Sequence, residues 1–202
     1  MDAWWSEAIQ IPFESQNGGA YNGGPYRGVI HTTESKSYTP STKTYYGHHN
    51  PPHFTIVKPG ASDDVKVYQH FPINVAARAL ENHKGGVETN RRSAIQIEIA
   101  WKAAEIDQLP FAMVIKLWDW MRWVEDQTDI KRWITPTFRG QEASGLNSPS
   151  RMTDDEWNAF NGWCGHQHVP ENSHWDPGKL DIGRLTQITR PGTPRCQVAN
   201  WF

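Results

Sequence analysis

Ser93-Ala94-Ile95-Gln96-Ile97-Glu98-Ile99-Ala100 is the stretch of this 202-residue chain that most clearly predicts a strand. Its side chains are mostly apolar on both faces, unlike the strict alternation of a half-exposed strand. A strand that is covered on both faces lies in the interior of a sheet, with other elements packed above and below it. The stretch therefore predicts a central strand.

Other elements are predicted on both sides of this strand. Apolar residues recur at intervals of three and four after Pro110, which suits the first turn of a helix, and we expect this helix to pack one face on the sheet. Thr153 and Glu156 have the spacing of a capping box and predict a second helix from Thr153. Further strands are predicted at residues 26–31, 53–57 and 65–69, the last two with the spacing of a hairpin.

The length is sufficient for one domain with a full hydrophobic core. We expect residues 1–25 to be an irregular segment, because they end in a glycine-rich run. Residues 26–188 would form the domain, and residues 189–202 a tail or the start of a linker.

Composition excludes some classes of partner. The net charge is −2 and no cluster of Lys and Arg is interleaved with aromatic residues, so nucleic acid is not expected as a partner. The mean hydropathy is −0.70, and no apolar run approaches the roughly 20 residues of a bilayer span, so no membrane partner is expected. The first residues lack the basic start and apolar stretch of a secretory signal, so export by that route is not expected, and the protein would be made in the cytoplasm. We expect a monomer.

Histidine and aspartate crowd into a turn-rich stretch near the C-terminus, Gly165-His166-Gln167-His168-Val169-Pro170-Glu171-Asn172-Ser173-His174-Trp175-Asp176-Pro177-Gly178. Neutral imidazoles and a carboxylate suit Zn²⁺, whose hydrolytic sites take three protein ligands and leave a fourth position for water. A third ligand must come from elsewhere, and His31 is the natural candidate because it ends an apolar, strand-like run. The residues alone leave open whether His166 or His168 is a ligand.

Four segments occur in a fixed order along the chain: Val29-Ile30-His31-Thr32-Thr33, His53-Phe54-Thr55-Ile56-Val57, Ala94-Ile95-Gln96-Ile97-Glu98-Ile99 and Gly165 to Gly178. In this order the four segments resemble the zinc-dependent N-acetylmuramoyl-L-alanine amidases of the type 2 class. This family includes many phage endolysins, bacterial recycling amidases and, more distantly, peptidoglycan-recognition proteins. The late His and Asp are separated by 176 − 166 = 10 positions, as in many relatives. The resemblance implies an α/β fold with a mixed central sheet flanked by helices.

The resemblance also implies the role of several residues. His31, His166 and Asp176 would bind Zn²⁺, because the histidine that follows glycine is the ligand in relatives and His168 falls at a non-ligand position. Glu98 would face the cleft and move the proton of the attacking water. The alternative for Glu98 is a buried ion pair with a neighbouring arginine, Arg91 or Arg92, since an unpaired carboxylate on a central strand is costly to bury.

The chain departs from the family at two positions. His174 lies where many relatives carry a lysine that donates to the developing oxyanion, and we expect protonated His174 to do so here. Histidine ordinarily titrates near pH ~6.5, so activity should depend on pH more than it would with lysine. Pro52 lies where relatives often carry a tyrosine, whose contribution is then absent or supplied by Tyr45 or Tyr46.

Weaker predictions concern substrate binding. His53, Asn90, Arg91 and Trp101 are candidates for the lining of a groove, although His53 could instead orient a strand. The 11 tryptophans could stack on sugars, but most of them fall on the apolar faces of predicted elements, which favours core packing.

The reaction that the resemblance implies is hydrolysis of the amide between N-acetylmuramic acid and L-alanine in peptidoglycan (EC 3.5.1.28). Two alternatives are a non-catalytic peptidoglycan-binding module and a zinc peptidase that cleaves within the stem peptide. The setting we expect is a phage endolysin that is made in the host cytoplasm and acts on the cell wall after release.

Overall fold

The computed structural model describes residues 3–13, 16–38, 50–60, 64–188 and the backbone of 197–198. The strands are β1 (Ile9–Gln10), β2 (Arg27–Thr32), β3 (Phe54–Val57), β4 (Lys66–Gln69), β5 (Ala94–Ile99), β6 (Trp133–Ile134), β7 (Trp163–Gly165) and β8 (Gln197–Val198). The α-helices are α1 (Phe111–Gln127), α2 (Asp154–Ala159) and α3 (Ile182–Thr186). Short 3₁₀ helices span Ala103–Gln108, Gln141–Ala143 and His166–His168.

The described strands form one mixed sheet in the order β1-β4-β3-β5-β2-β7-β6-β8. Strands β3, β5, β2, β7, β6 and β8 run parallel to one another. Strand β4 is antiparallel to β3, as the hairpin spacing predicted, and β1 is parallel to β4. The expected α/β fold with a mixed sheet and flanking helices is confirmed.

Strand β5 lies inside the sheet, as its two apolar faces predicted. It pairs with β3 on one side and with β2 on the other. Its apolar side chains Ala94, Ile95, Ile97 and Ile99 are all fully buried. Burial of apolar surface on both faces of this strand, at roughly 25 cal/mol per Å², is a large part of what stabilises the fold.

The two predicted helices are present. Helix α1 begins directly after Pro110 and buries Leu117, Trp120, Met121 and Val124 in the same core cluster as β5. Helix α2 has the predicted capping box: the Thr153 hydroxyl accepts a hydrogen bond from the Glu156 backbone N–H, and the Glu156 carboxylate accepts one from the Thr153 N–H. Trp118, Trp157 and Trp163 are buried, so core packing is confirmed for these tryptophans.

The expectation of an irregular segment over residues 1–25 misses β1. Ile9 and Gln10 extend the edge of the sheet beside β4, and the Trp5 N–H donates to Gln69 Oε1 at 2.7 Å. A strand of two residues is too short to show an alternating pattern, so no periodicity indicates it. The domain limits remain a prediction. No helix in the described part of the chain is long and apolar enough to cross a membrane.

Candidate metal centre

The sheet brings two distant histidines together. Strands β2 and β7 run parallel, with Ile30 opposite Gly165. The next residue after each of these is a histidine, His31 and His166, so both lie where neighbouring parallel strands end. In open α/β sheets, ligands bind outside the carboxyl ends of the strands, because loops from several strands meet there.

Asp176 completes a cluster with these histidines. His31 Nδ1 lies 3.1 Å from His166 Nδ1, and His166 Nδ1 lies 3.1 Å from Asp176 Oδ1. His31 Nδ1 lies 3.6 Å from Asp176 Oδ2. All three residues are buried, and they form a group in which each can offer one ligand atom. The sequence-predicted ligands are therefore adjacent in space.

These distances fit a zinc ion. Ligand atoms placed about 2.0–2.1 Å from a tetrahedral ion are separated from each other by roughly 3.3 Å. The separations from His31 Nδ1 to His166 Nδ1 and from His166 Nδ1 to Asp176 Oδ1, both 3.1 Å, are close to that value. Two imidazole nitrogens and one carboxylate oxygen are also a ligand set that zinc takes in hydrolytic sites, which keep a fourth position open.

The ionisation of the cluster also suits metal binding. Burial lowers the pKa of His166 to about 4, although the Asp176 carboxylate opposes this shift. Burial raises the pKa of Asp176, but His166 and His31 lower it by more, so its pKa lies well below its usual range. At neutral pH His166 is therefore neutral and Asp176 ionised, which are the states that bind a metal.

Glu98 lies beside this cluster. In the β2–β5 pairing it is opposite His31. Its Oε2 atom is buried and has no hydrogen-bond partner among the described residues. Burial raises the pKa of Glu98 well above its usual range, and the carboxylates of Asp176 and Glu34 add to the shift.

The alternative of an ion pair for Glu98 does not hold among the described residues. Arg91 and Arg92 lie before the start of β5, at its other end, and the Arg91 Nε–H donates to the carbonyl of Ala20. Glu98 has no ion pair in the part of the chain that the structure describes.

His174 lies at the mouth of the cluster. Its ring stacks on His166, with 4.5 Å between centroids and 14° between planes. Its Nδ1 lies 3.7 Å from Asp176 Oδ1, and its side chain is 53% exposed. His174 is therefore the histidine of this loop that can reach a ligand from solvent. His168, in contrast, is buried: its Nδ1 accepts the Gly165 N–H at 3.0 Å, and its Nε2–H donates to the carbonyl of Thr137 at 2.8 Å.

Sequence reasoning missed the residue that holds this loop, Arg151. Its guanidinium donates to the carbonyl of His174 at 2.7 Å, to that of Gln167 at 3.1 Å and to Asn172 Oδ1 at 3.0 Å. Asn172 Oδ1 in turn accepts the His174 N–H at 2.8 Å. Nothing local in the sequence signals this role, because these three acceptors lie 16 to 23 positions away and two of them are backbone carbonyls.

Glu34 was also missed. Its Oε1 accepts hydrogen bonds from Thr32 Oγ1 and from the Ala103 N–H, and it adds negative charge near Glu98. An acidic residue three positions after His31, just beyond the strand, was the signal that could have identified it.

The four residues predicted to bind substrate are spread over the molecule. His53 is fully buried; its Nε2 contacts Tyr21 Oη and the carbonyl of Val75, and its Nδ1 accepts the Gln96 N–H. This places it as a residue that joins β3 to β5. Asn90 and Arg91 precede β5, whereas Trp101 follows it on the side of the metal centre.

Asn90 and Arg91 are remote from the metal centre along β5. Arg91 lies seven positions before Glu98, and the part of β5 between Ala94 and Glu98 alone spans roughly 13 Å. A substrate groove over the metal centre would therefore include Trp101 more readily than Asn90 or Arg91. Tyr45 and Tyr46 lie outside the described residues, and all four substrate contacts remain predictions.

Comparisons with known proteins support the fold. No protein-family model matches the chain, and no curated protein matches it. A solved structure, described as the crystal structure of a selenomethionine derivative of AmpD, matches with a TM-score of 0.52. The match covers 91% of this chain and 95% of the AmpD chain at 14% sequence identity. At this identity the likeness shows a shared fold.

Proposed function

We propose that this protein is a zinc-dependent amidase that hydrolyses the bond between N-acetylmuramic acid and L-alanine in peptidoglycan. The observation that carries the proposal is the convergence of His31, His166 and Asp176 beside Glu98, whose buried Oε2 has no hydrogen-bond partner among the described residues. Three of the four segments that resemble type 2 amidases supply these residues. The fold shared with AmpD is consistent with that resemblance.

His31, His166 and Asp176 are the residues that would hold the zinc ion. The chemistry that zinc supplies when bound is that of a Lewis acid, which makes water more acidic and polarises a carbonyl group. The protein would keep His166 neutral and Asp176 anionic, the states that bind a metal. Burial of the three ligands excludes bulk water from them.

Glu98 is the residue that we assign to proton transfer. Its buried Oε2 has no partner among the described residues, so it is available to accept a proton from the attacking water. Its raised pKa allows it to retain this proton and then to pass it to the departing amine nitrogen of L-alanine. Such a group typically contributes about 10²–10⁴ to the rate.

His174 is the residue that we assign to the oxyanion. It is half exposed at the mouth of the site, and its backbone is fixed on both sides by Asn172 and Arg151. In its protonated form it can donate a hydrogen bond to the amide oxygen as negative charge develops there. Loss of one oxyanion donor typically costs about 10²–10³ in turnover.

The test is to incubate the purified protein with peptidoglycan, with and without a zinc chelator, and to identify the products by mass spectrometry. We expect free stem peptides that begin at L-alanine, absent after chelation and restored by Zn²⁺. Cleavage inside the stem peptide would instead show a zinc peptidase. Intact peptidoglycan that retains the protein would show a binding module.

Variants separate the roles within the site. Glu98→Gln and His174→Ala should each lower turnover by about 10²-fold or more while bound zinc stays stoichiometric. His83→Ala is the matched control, because His83 is an exposed histidine in a loop before β5. Full activity of the His174 variant would remove that residue from the mechanism.

The endolysin setting is a further part of the proposal, based on the sequence resemblance. Purified protein added to permeabilised bacteria should clear the suspension in a zinc-dependent manner, and no clearing would argue against it.

A further inference from the structure

A polar cavity lies at the end of the parallel strands that is opposite to the metal centre. It has a volume of about 450 Å³, which is within the range of small-molecule sites. Arg78 lies after β4 and Arg91 before β5, and the Arg78 N–H donates to the carbonyl of Pro51, just before β3. The cavity is therefore at the end where β3 and β5 begin, whereas His31 and His166 lie where parallel strands end.

The lining of this cavity is polar and carries positive charge. Two arginines and four asparagines contribute to it, together with glycine, alanine and leucine. None of the described residues that line it is aspartate or glutamate. A cavity with this lining favours a hydrophilic ligand that carries negative charge.

The asparagines are used to build the walls. The Asn90 side chain bonds to both backbone groups of Leu80 and to the Gln96 amide. Asn82 Oδ1 accepts hydrogen bonds from the N–H and the hydroxyl of Thr89. These bonds fix two loops against β5, so the cavity is formed before any ligand arrives.

Neither Arg78 nor Arg91 has an ion-pair partner in the described ranges. Both residues are exposed, and the Arg91 Nε–H donates to the carbonyl of Ala20, so its terminal amino groups can still bind a ligand. The nearby Glu88 carboxylate keeps its negative charge, but its Oε1 accepts from Asn82 and from the N–H groups of Asn90 and Arg91, not from an arginine side chain. Two guanidinium groups at one cavity are suited to paired hydrogen bonds with a carboxylate or a phosphate.

We propose that this cavity is a second binding site, for a hydrophilic ligand with a carboxylate or phosphate group that Arg78 and Arg91 hold. The site does not depend on the proposed amidase activity or on a metal. Its size accommodates more than the anion itself, and the asparagine walls offer few apolar contacts, so the rest of the ligand is polar as well.

The experiment is a titration of the isotope-labelled full chain with two probes, inorganic phosphate and succinate, followed by NMR at constant ionic strength. We expect saturable shifts of the Arg78 and Arg91 side-chain signals at millimolar probe, with the tighter probe identifying the anion. Arg78→Ala/Arg91→Ala should weaken binding at least 10-fold. Lys131→Ala/Arg184→Ala removes the same charge elsewhere on the surface and should bind as the wild type does.

Lysine replacements keep the test decisive if the alanine variant is unstable. Arg78→Lys/Arg91→Lys retains both charges but lacks the planar fork, so the affinity should fall several-fold. Shifts that do not saturate, equal weakening by the Lys131/Arg184 control, or undiminished binding by the lysine variant would overturn the proposal. The titration measures anion binding by protein from which metal has been removed with a chelator. A negative result therefore leaves the amidase proposal unaffected, and a failure of the amidase proposal leaves this one unaffected.

Discussion

Replacing Arg151 by alanine should loosen the loop that carries two of the candidate metal ligands, His166 and Asp176. Arg151 makes four hydrogen bonds of 3.1 Å or less, to the carbonyls of Gly145, Gln167 and His174 and to Asn172 Oδ1. Hydrogen bonds to a charged group contribute about 1.5–3 kcal/mol each, so four of them set an upper bound of roughly 6–12 kcal/mol.

The expected loss is smaller than this bound. Arg151 is only half-buried, so several of its acceptors can bond to water once the side chain is gone. We expect the free energy of unfolding to fall by about 2–4 kcal/mol. For a chain of this size, that corresponds to a decrease in Tm of roughly 5–15 °C. Since Gln167 adjoins His166 and His174 is two residues from Asp176, zinc affinity should fall about 10-fold or more.

The assay is urea unfolding of zinc-free protein combined with zinc titration against a competing chelator. Arg139→Ala is the matched control. This substitution removes the same charge from the same region, and the Arg139 side chain has no hydrogen bond among the described residues. This control should lower the free energy of unfolding by less than about 0.5 kcal/mol. If Arg151→Ala and Arg139→Ala unfold at the same urea concentration and bind zinc equally, Arg151 does not position the loop.

Three further outcomes are expected. Gly178 has φ +79°, and a Cβ there would lie 2.1 Å from the Ala103 carbonyl oxygen; Gly178→Ala should lower the free energy of unfolding by about 2–4 kcal/mol. Gly145 has φ +95° and open space around it, so Gly145→Ala should lower the free energy of unfolding by less than Gly178→Ala does. Equal losses of stability in thermal melts would exclude the steric clash at Gly178. Burial raises the pKa of Glu125 from 4.5 to about 7, so the folded state binds a proton that the unfolded chain has lost. Stability should then fall by up to about 3 kcal/mol between pH 4.5 and 7, and Glu125→Gln should flatten this part of the unfolding profile. Zinc at about 100 times its Kd should stabilise the protein by about 2.7 kcal/mol. Asp176→Ala should abolish this gain in melts with and without zinc, and a retained gain would place the ion elsewhere.

The sequence by itself determined the elements whose signals are local. The doubly apolar stretch at β5, the three-and-four spacing in α1 and the capping box at Thr153 are local patterns, and each element begins within a residue of its predicted start. The chemistry of the predicted ligands was also readable, because histidine and aspartate were identified as suitable for zinc from residue type and order.

Only the tertiary structure decided which of these residues meet. His31 and His166 are 135 positions apart, and their contact depends on the parallel pairing of β2 with β7, which leaves no local pattern. The same pairing rules placed Asn90 and Arg91 at the far end of β5, so residues near Glu98 in sequence are remote from the metal centre. Arg151 acts through backbone carbonyls, which every residue possesses, and sequence carries no mark of which carbonyls a folded loop will present. These contacts could not be predicted from local sequence because strand register and loop closure are set by packing across the whole domain.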